Sequence, residues 1–206
     1  MKGRNQIFEI LTSLLTVFFI IISAVFFFKS ELALAFLGSH PLEMSFRRAI
    51  KIDPENAAHP FALGILREKN AESVQEPIHR KQRYQDALGA IEKAIKLDPY
   101  QLSYRVSYSE IALKSGFPEK GEQVLQDQKL PFDFELYLAR SYYNLKRADL
   151  SQNDSEKNKF LKQGIDNYKK VSLIAGDFAK QVFKRKVKTL SPAIQSELTQ
   201  LIPEHF

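Results

Sequence analysis

The chain has 206 residues, which is enough for one domain of ordinary size plus an additional segment. Its 30 Lys and Arg exceed its 24 Asp and Glu, and a net charge of +6 is too mild to indicate nucleic acid or lipid by itself. It has no cysteine, which excludes structural disulfides, thiolate zinc sites and cysteine nucleophiles.

The first predicted element is an apolar helix close to the N-terminus. Residues 11–28 contain no charged side chain, and the run extends to residues 7–28 if Glu9 is included. A helix of this length spans about 30 Å, which is the thickness of a bilayer core. The sequence therefore predicts a transmembrane helix over residues 7–28.

A cleaved secretory signal is the alternative interpretation of this run. Lys2 and Arg4 precede it, and residues 33–35 (Ala-Leu-Ala) have the composition of a cleavage site. The apolar core of a signal usually has about 7–15 residues, so the longer run favours an uncleaved anchor. By the positive-inside rule, residues 1–6 are expected in the cytoplasm and the rest of the chain in the periplasm or another extracytoplasmic space.

Two later segments are nearly identical and predict the ends of two amphipathic helices. Residues 49–54 read AIKIDP, and residues 94–99 read AIKLDP. Apolar residues precede both segments at helical spacing, as Leu42 and Phe46 do before the first. Proline disfavours the helical conformation in the residue before it and has no N–H to donate, so each helix is predicted to end at Asp-Pro.

These segments resemble the tetratricopeptide repeat family, whose 34-residue unit is a pair of helices, A and B. Ala87, Ile91 and Pro99 match the family's helix B, and Leu63-Gly64 matches its helix A. The two Asp-Pro ends are 45 residues apart, so residues 70–83 are interpreted as a polar insert that forms an elongated turn. The resemblance implies an all-α fold, in which the transmembrane helix is followed by an α-solenoid of antiparallel helix pairs.

Two more degenerate units follow. Residues 102–115 and 118–126 are predicted as the helices of the second unit, and residues 133–146 as the first helix of the third. A second polar insert is predicted at residues 148–158. The predicted organisation is a helix extension with a half repeat over residues 29–54, repeats over residues 55–176, and C-terminal capping helices over residues 177–206.

The junction between membrane helix and repeats is a further expectation. The helix that ends at Pro54 needs a preceding partner, and residues 29–37 are the candidate. No Gly or Pro interrupts residues 28–37, so the membrane helix is predicted to continue into the first repeat as its helix A. The alternative is a loose connection after Gly38.

The resemblance also implies a protein-binding groove lined by the A helices. The groove positions of each unit are counted from its Leu-Gly pair. In the third unit Leu138-Ala139 takes the place of that pair. The residues carried over are Phe61, Ile65, Glu68, Lys69, Val106, Glu110, Leu113, Lys114, Leu136, Arg140, Tyr143 and Asn144. Their mix of apolar, aromatic and charged side chains fits an extended peptide or a partner helix.

The last predicted helices cover residues 177–190 and 192–201, and the first of them is rich in lysine and arginine. One interpretation is a capping pair with its cations in water. The other is a surface for anionic lipid or an acidic partner, formed by Lys180, Lys184, Arg185 and Lys188. No nucleic-acid motif accompanies the charge, and no nucleic-acid partner is predicted.

No catalytic motif accompanies the repeats. The four histidines do not share a helix face, and phosphate-binding loops and hydrolase motifs are absent from the sequence. We therefore expect no enzyme and no cofactor or metal. The expected function is a single-pass membrane scaffold or adaptor that binds proteins in a cell-envelope complex for export, envelope or polysaccharide assembly. The alternative is a structural subunit of a larger membrane complex, with residues 7–28 as its main contact and an oligomeric state left open.

Overall fold

A computed structural model of the chain describes residues 42–127 and 134–203. Over these residues the chain folds into eight α-helices and contains no strand, which confirms the all-α prediction. The predicted membrane helix at residues 7–28 and its extension at residues 29–37 lie outside the described residues. Within the two described ranges, no helix is long and apolar enough to cross a membrane.

The helices follow one another with short connections. They are α1 (Leu42–Ile52), α2 (Ala58–Glu72), α3 (Pro77–Leu97), α4 (Leu102–Lys114), α5 (Pro118–Gln126), α6 (Phe134–Leu150), α7 (Asp154–Val187) and α8 (Pro192–Leu201). The break in α7 lies at Gly176, where φ is 50° and ψ is −131°. Glycine adopts a positive φ without the steric cost that a side chain adds, so α7 is two helical segments that meet at this residue.

Local signals set most helix ends. Pro77, Pro118 and Pro192 each open a helix, in the first turn, where a missing N–H breaks no helical hydrogen bond. Asn153 caps α7, since its Oδ1 accepts a hydrogen bond from the backbone N–H of Ser155 at 2.9 Å. The prolines explain why α5 and α8 begin at the predicted residues.

The turn between α2 and α3 is shorter than the elongated turn predicted over residues 70–83. Helix α2 ends at Glu72 and α3 begins at Pro77. The Arg80 side chain closes the turn by donating hydrogen bonds to the backbone carbonyls of Val74 at 2.7 Å and Gln75 at 3.2 Å. Residues 78–83 are helical and exposed, so the polarity of this segment reflects a solvated helix and not an irregular loop.

Helices pack mainly against their neighbours in the chain. The closest pairs are α2 with α3, α4 with α5, and α6 with α7, and further contacts join α2 to α4 and α4 to α6. Buried apolar residues form two clusters, one within α2 to α4 and the other within α6 to α8. Consecutive helices therefore pack as pairs, and the first helices of successive pairs, α2, α4 and α6, also contact one another.

The two helices of each pair approach most closely at small residues. The facing residues are Gly64 and Ala87, Ser109 and Gly121, and Ser141 and Gly164. In the third pair the Ser141 hydroxyl donates a hydrogen bond to the Gly164 carbonyl at 2.7 Å. Gly64, Ser109 and Ser141 are thus equivalent positions on the first helix of the three pairs.

This equivalence differs by two residues from the predicted register of the third pair. The sequence pattern places Ala139 at the close approach, but Ser141 occupies it. Serine is small enough for this approach and bonds to the facing carbonyl, whereas Leu138-Ala139 imitates the Leu-Gly pair in sequence only. Two residues correspond to about 200° around a helix, so positions counted from Ala139 face the opposite side of α6.

A buried histidine lies in the first turn of α2. His59 is 7% exposed, and among the described residues its Nε2 has no hydrogen-bond partner. The nearest carboxylate oxygen belongs to Asp53, 3.9 Å from Nε2. Burial lowers the pKa of His59, and the negative charge of Asp53 opposes this shift only in part. The folded protein therefore favours neutral His59.

We expect the free energy of unfolding to fall as the pH drops below about 6.5, the ordinary histidine value. Below that pH the unfolded chain binds a proton at His59 more readily than the folded chain, and the loss continues until the pH passes the lowered folded pKa. Urea unfolding between about pH 7.5 and 5.5 measures the slope. His59→Gln should flatten the slope and the exposed His79→Gln should keep it; an unchanged slope in His59→Gln contradicts the assignment.

Candidate functional site

The predicted groove residues of α2 and α4 lie on facing surfaces of these helices. The Phe61 ring lies 4.5 Å from the Tyr104 ring between centroids, and Ile65 packs half-buried against the same cluster. Lys114 donates hydrogen bonds to Glu68 at 2.8 Å and to Glu72 at 2.7 Å. The charges at this end of the surface are therefore paired with one another.

The shifted pKa values of Lys114 and Glu72 reflect this pairing. Burial disfavours the charged form of Lys114, but its hydrogen bonds to Glu68 and Glu72 outweigh burial and raise the pKa of Lys114 above its usual value. The same hydrogen bond is the main cause that lowers the pKa of Glu72. Lys114 and Glu72 therefore stay ionised near neutral pH. Lys114 links α4 to α2, where both carboxylates lie.

Three further predicted groove residues lie on the side of α4 that faces α6, namely Val106, Glu110 and Leu113. There they line a groove with Ala139, Tyr142, Lys146 and Lys186. The Lys186 amine lies 4.7 Å from the centre of the Tyr142 ring, and the Tyr142 hydroxyl shares a hydrogen bond with Thr189 at 2.8 Å. The groove encloses about 10 Å³, which is too little for a peptide side chain.

The predicted residues of the third unit lie elsewhere, because of the two-residue shift. Leu136 is 1% exposed and offers no surface to a partner. Tyr143 is also buried; its hydroxyl donates a hydrogen bond to the Pro118 carbonyl, and burial raises its pKa. Arg140 and Asn144 line a cleft between α5, α6 and α7, away from the α4–α6 groove, whereas Tyr143 lines both.

This α5–α7 cleft has a volume of about 560 Å³. Its lining residues are Glu122, Leu125, Gln126, Arg140, Tyr143, Asn144, Gln163, Asp166, Asn167 and Lys170. Small-molecule sites in proteins occupy about 300–1,000 Å³, a volume that also accommodates a few residues of a peptide. The cleft is therefore large enough for a ligand and combines amide, cationic and acidic side chains.

Two buried amide oxygens in the cleft lack hydrogen bonds. Asn144 is 8% exposed, and its Nδ2 donates to the Arg140 carbonyl at 3.0 Å, which fixes the orientation of the amide. Among the described residues, Asn144 Oδ1 and Gln163 Oε1 have no partner. A buried acceptor without a donor destabilises a protein by about 1–3 kcal/mol. The cleft thus suits a ligand that supplies N–H or O–H donors.

Arg140 supplies the complementary donors. Its Nε donates to the Leu125 carbonyl at 2.8 Å, and in the described part of the chain this is the one hydrogen bond of its guanidinium. Burial lowers the pKa of Arg140, and the neighbouring Tyr137 opposes this shift. Arginine nevertheless stays charged at neutral pH, and its two Nη groups, which have no hydrogen bond within the described residues, can donate to an acceptor on a ligand.

Sequence reasoning missed Gln163 and Asn167 of this cleft. Both lie on α7 among lysines and resemble the solvated face of an amphipathic helix. The four cations predicted to contact anionic lipid or an acidic partner differ in exposure. Arg185 and Lys188 are exposed, while Lys180 and Lys184 are half-buried and each interacts with a neighbour.

Comparisons with known proteins leave the family open. No protein-family model matches this chain, and no match was found among curated proteins or solved structures. The tetratricopeptide resemblance therefore stays a prediction. The function has to be argued from the packing of the helices and the chemistry of the α5–α7 cleft.

Proposed function

We propose that this protein is a membrane-anchored scaffold of tetratricopeptide-like helix pairs that binds a segment of a partner protein in an extracytoplasmic envelope complex. Three consecutive pairs, with contacts between α2, α4 and α6, support the proposed solenoid. The uncharged run at residues 11–28 supports the anchor. The residues predicted as polar inserts, 70–83 and 148–158, belong largely to the ends of helices joined by short turns, and they leave this pairing intact.

The α5–α7 cleft is the proposed binding site, and its unpaired amide oxygens carry the proposal. A peptide presents N–H and C=O groups in alternation along its backbone. Its N–H groups would pair with Asn144 Oδ1 and Gln163 Oε1, and a carbonyl would accept from Arg140. Binding would thereby satisfy two acceptors that are buried and have no partner within the described residues.

Gln163→Met separates a ligand-binding role from a structural one. It removes the unpaired acceptor while keeping a side chain of similar length, so the unfolding free energy should stay the same or rise. Affinity for the partner should fall about tenfold, which corresponds to one lost hydrogen bond to a buried group. Gln85→Met, at an exposed position of α3, is the matched control and should change neither property.

Site-specific photocrosslinking of the full chain in its native membranes provides the readout. A benzophenone amino acid at the exposed Gln126, on the rim of the cleft, should give a discrete adduct with one partner. The adduct should weaken in Gln163→Met and disappear in Arg140→Glu, and the same group at Gln85 should not form it. An adduct of equal yield in all variants, or none at Gln126, overturns the proposed site.

A swap of residues 11–28 for an unrelated membrane span tests the alternative of a structural subunit. A scaffold keeps its adduct after the swap, because its partner binds the helix pairs. A subunit whose span makes the main contact loses its complex.

A further inference from the structure

The break in α7 carries an exposed apolar surface outside the α5–α7 cleft. Leu173, Ile174 and Phe178 are 87%, 60% and 58% exposed. Among the large apolar residues of the described ranges, Leu173 is the most exposed. Contiguous exposed apolar groups on a folded protein indicate a contact with another molecule. We call residues 173–178 the knuckle.

The backbone at Gly176 creates this surface. Tyr168 and Phe183 stack with ring centroids 3.7 Å apart, so the two segments of α7 fold back on each other around Gly176. Val171 and Ala179, on either side of the knuckle, are fully buried. An added Cβ at Gly176 would meet nothing within 4 Å. The knuckle therefore protrudes between the two helical segments of α7, which we call its arms and which are themselves firmly packed.

Basic residues flank the knuckle on both arms. Residues 169–188 contain seven Lys or Arg and one acidic residue, Asp177. Lys169 and Lys170 are exposed one turn before Leu173. On the second arm Phe178, Arg185 and Lys188 are exposed at helical spacing and share one face. The apolar tip thus lies between two groups of solvent-accessible cations.

We propose that the knuckle inserts into the surface of an anionic lipid bilayer. Leu173, Ile174 and Phe178 enter the boundary between headgroups and acyl chains, and the flanking cations bind lipid phosphates. Apolar side chains between exposed cations are the chemistry of interfacial membrane contact. A specific protein interface covers about 800 Å² per partner, which is far wider than three side chains at a single bend.

This contact would fix how the repeat domain lies on the membrane. A single membrane helix, even one continuous with the repeats, can tilt and turn about its own axis in the bilayer, and a second contact at α7 would restrict both motions. The knuckle and the α5–α7 cleft share no residue, but the flanking Lys170 also lines the cleft. Variants that leave Lys170 unchanged therefore test the knuckle separately from the cleft.

An environment-sensitive fluorophore on a single cysteine tests the proposal, because the chain has no cysteine of its own. The full chain carrying Leu173→Cys is labelled and reconstituted into vesicles of phosphatidylcholine, with or without phosphatidylglycerol. We expect a blue-shifted emission, quenched by spin-labelled acyl chains, in the phosphatidylglycerol vesicles. The same label at Ile78→Cys, which is 75% exposed on α3, should stay water-like in both.

Charge variants provide the second readout. Lys169→Gln and Arg185→Gln should each lower the ratio of inserted to water-exposed label about fivefold. Lys93→Gln and Lys96→Gln, exposed on α3, are the matched controls and should leave it unchanged.

Three results would overturn the proposal. One is a label at 173 that stays as water-like as the label at 78. Another is an equal blue shift with and without phosphatidylglycerol. The third is a shift that needs an added protein, which would make the knuckle a protein interface. Each leaves the crosslinking result at the α5–α7 cleft untouched, so the two proposals fail separately.

Discussion

Replacing Phe183 with alanine is expected to lower the free energy of unfolding by about 3–5 kcal/mol, the usual range for a buried phenylalanine. Phe183 is 1% exposed and stacks on Tyr168, which is fully buried, at 3.7 Å between ring centroids. The stack joins the two arms of α7 across the break at Gly176. Removing the ring leaves a cavity in the cluster formed by α6 to α8. It also removes a contact that holds the second arm of α7, residues 177–187, against the first.

Phe178→Ala is the matched control, since the same residue type lies five positions earlier in α7. Phe178 is 58% exposed, and its described ring contact is an edge-on one with Phe134 at 5.9 Å. We expect its loss to change the unfolding free energy by less than about 1 kcal/mol. Urea unfolding followed by circular dichroism measures both variants. Equal losses would mean that the second arm does not pack on the first.

Gly121→Ala is expected to lower the unfolding free energy by about 1–3 kcal/mol, although alanine favours a helix more than glycine does. An added Cβ would lie 2.9 Å from the Ser109 carbonyl oxygen and 2.5 Å from the Tyr143 hydroxyl oxygen. The carbonyl belongs to the backbone of α4 and cannot rotate away, so α4 and α5 have to separate.

Gly89→Ala on α3 gives the opposite expectation. An added Cβ there meets nothing within 4 Å, so only the helix preference acts, and stability should rise by about 0.5–1 kcal/mol. Thermal unfolding of the two variants side by side measures the difference. If Gly121→Ala were as stable as Gly89→Ala, the close approach between α4 and α5 would be incorrect. Ser109 would then no longer be structurally equivalent to Gly64 and Ser141.

The sequence by itself determined where most of the helices lie and where several of them begin and end, although the residues predicted as polar inserts are largely helical as well. Proline at 118 and 192 and the Asp-Pro pairs act through the backbone within a few residues, so no distant contact is needed to interpret them. The same holds for the repeated AIKIDP and AIKLDP segments, at which α1 and α3 end. For this reason α5 and α8 agree with the predicted bounds residue for residue.

Only the tertiary structure decided the register of the third pair and the position of the candidate site. Ser141 faces Gly164, which lies 23 residues later, and nothing in the local sequence distinguishes it from Ala139. The two-residue shift turns Arg140 and Asn144 away from the A-helix side and into the α5–α7 cleft, where they meet Gln163. Such a site depends on close approach between helices from distant parts of the chain, and packing, not local preference, selects that approach.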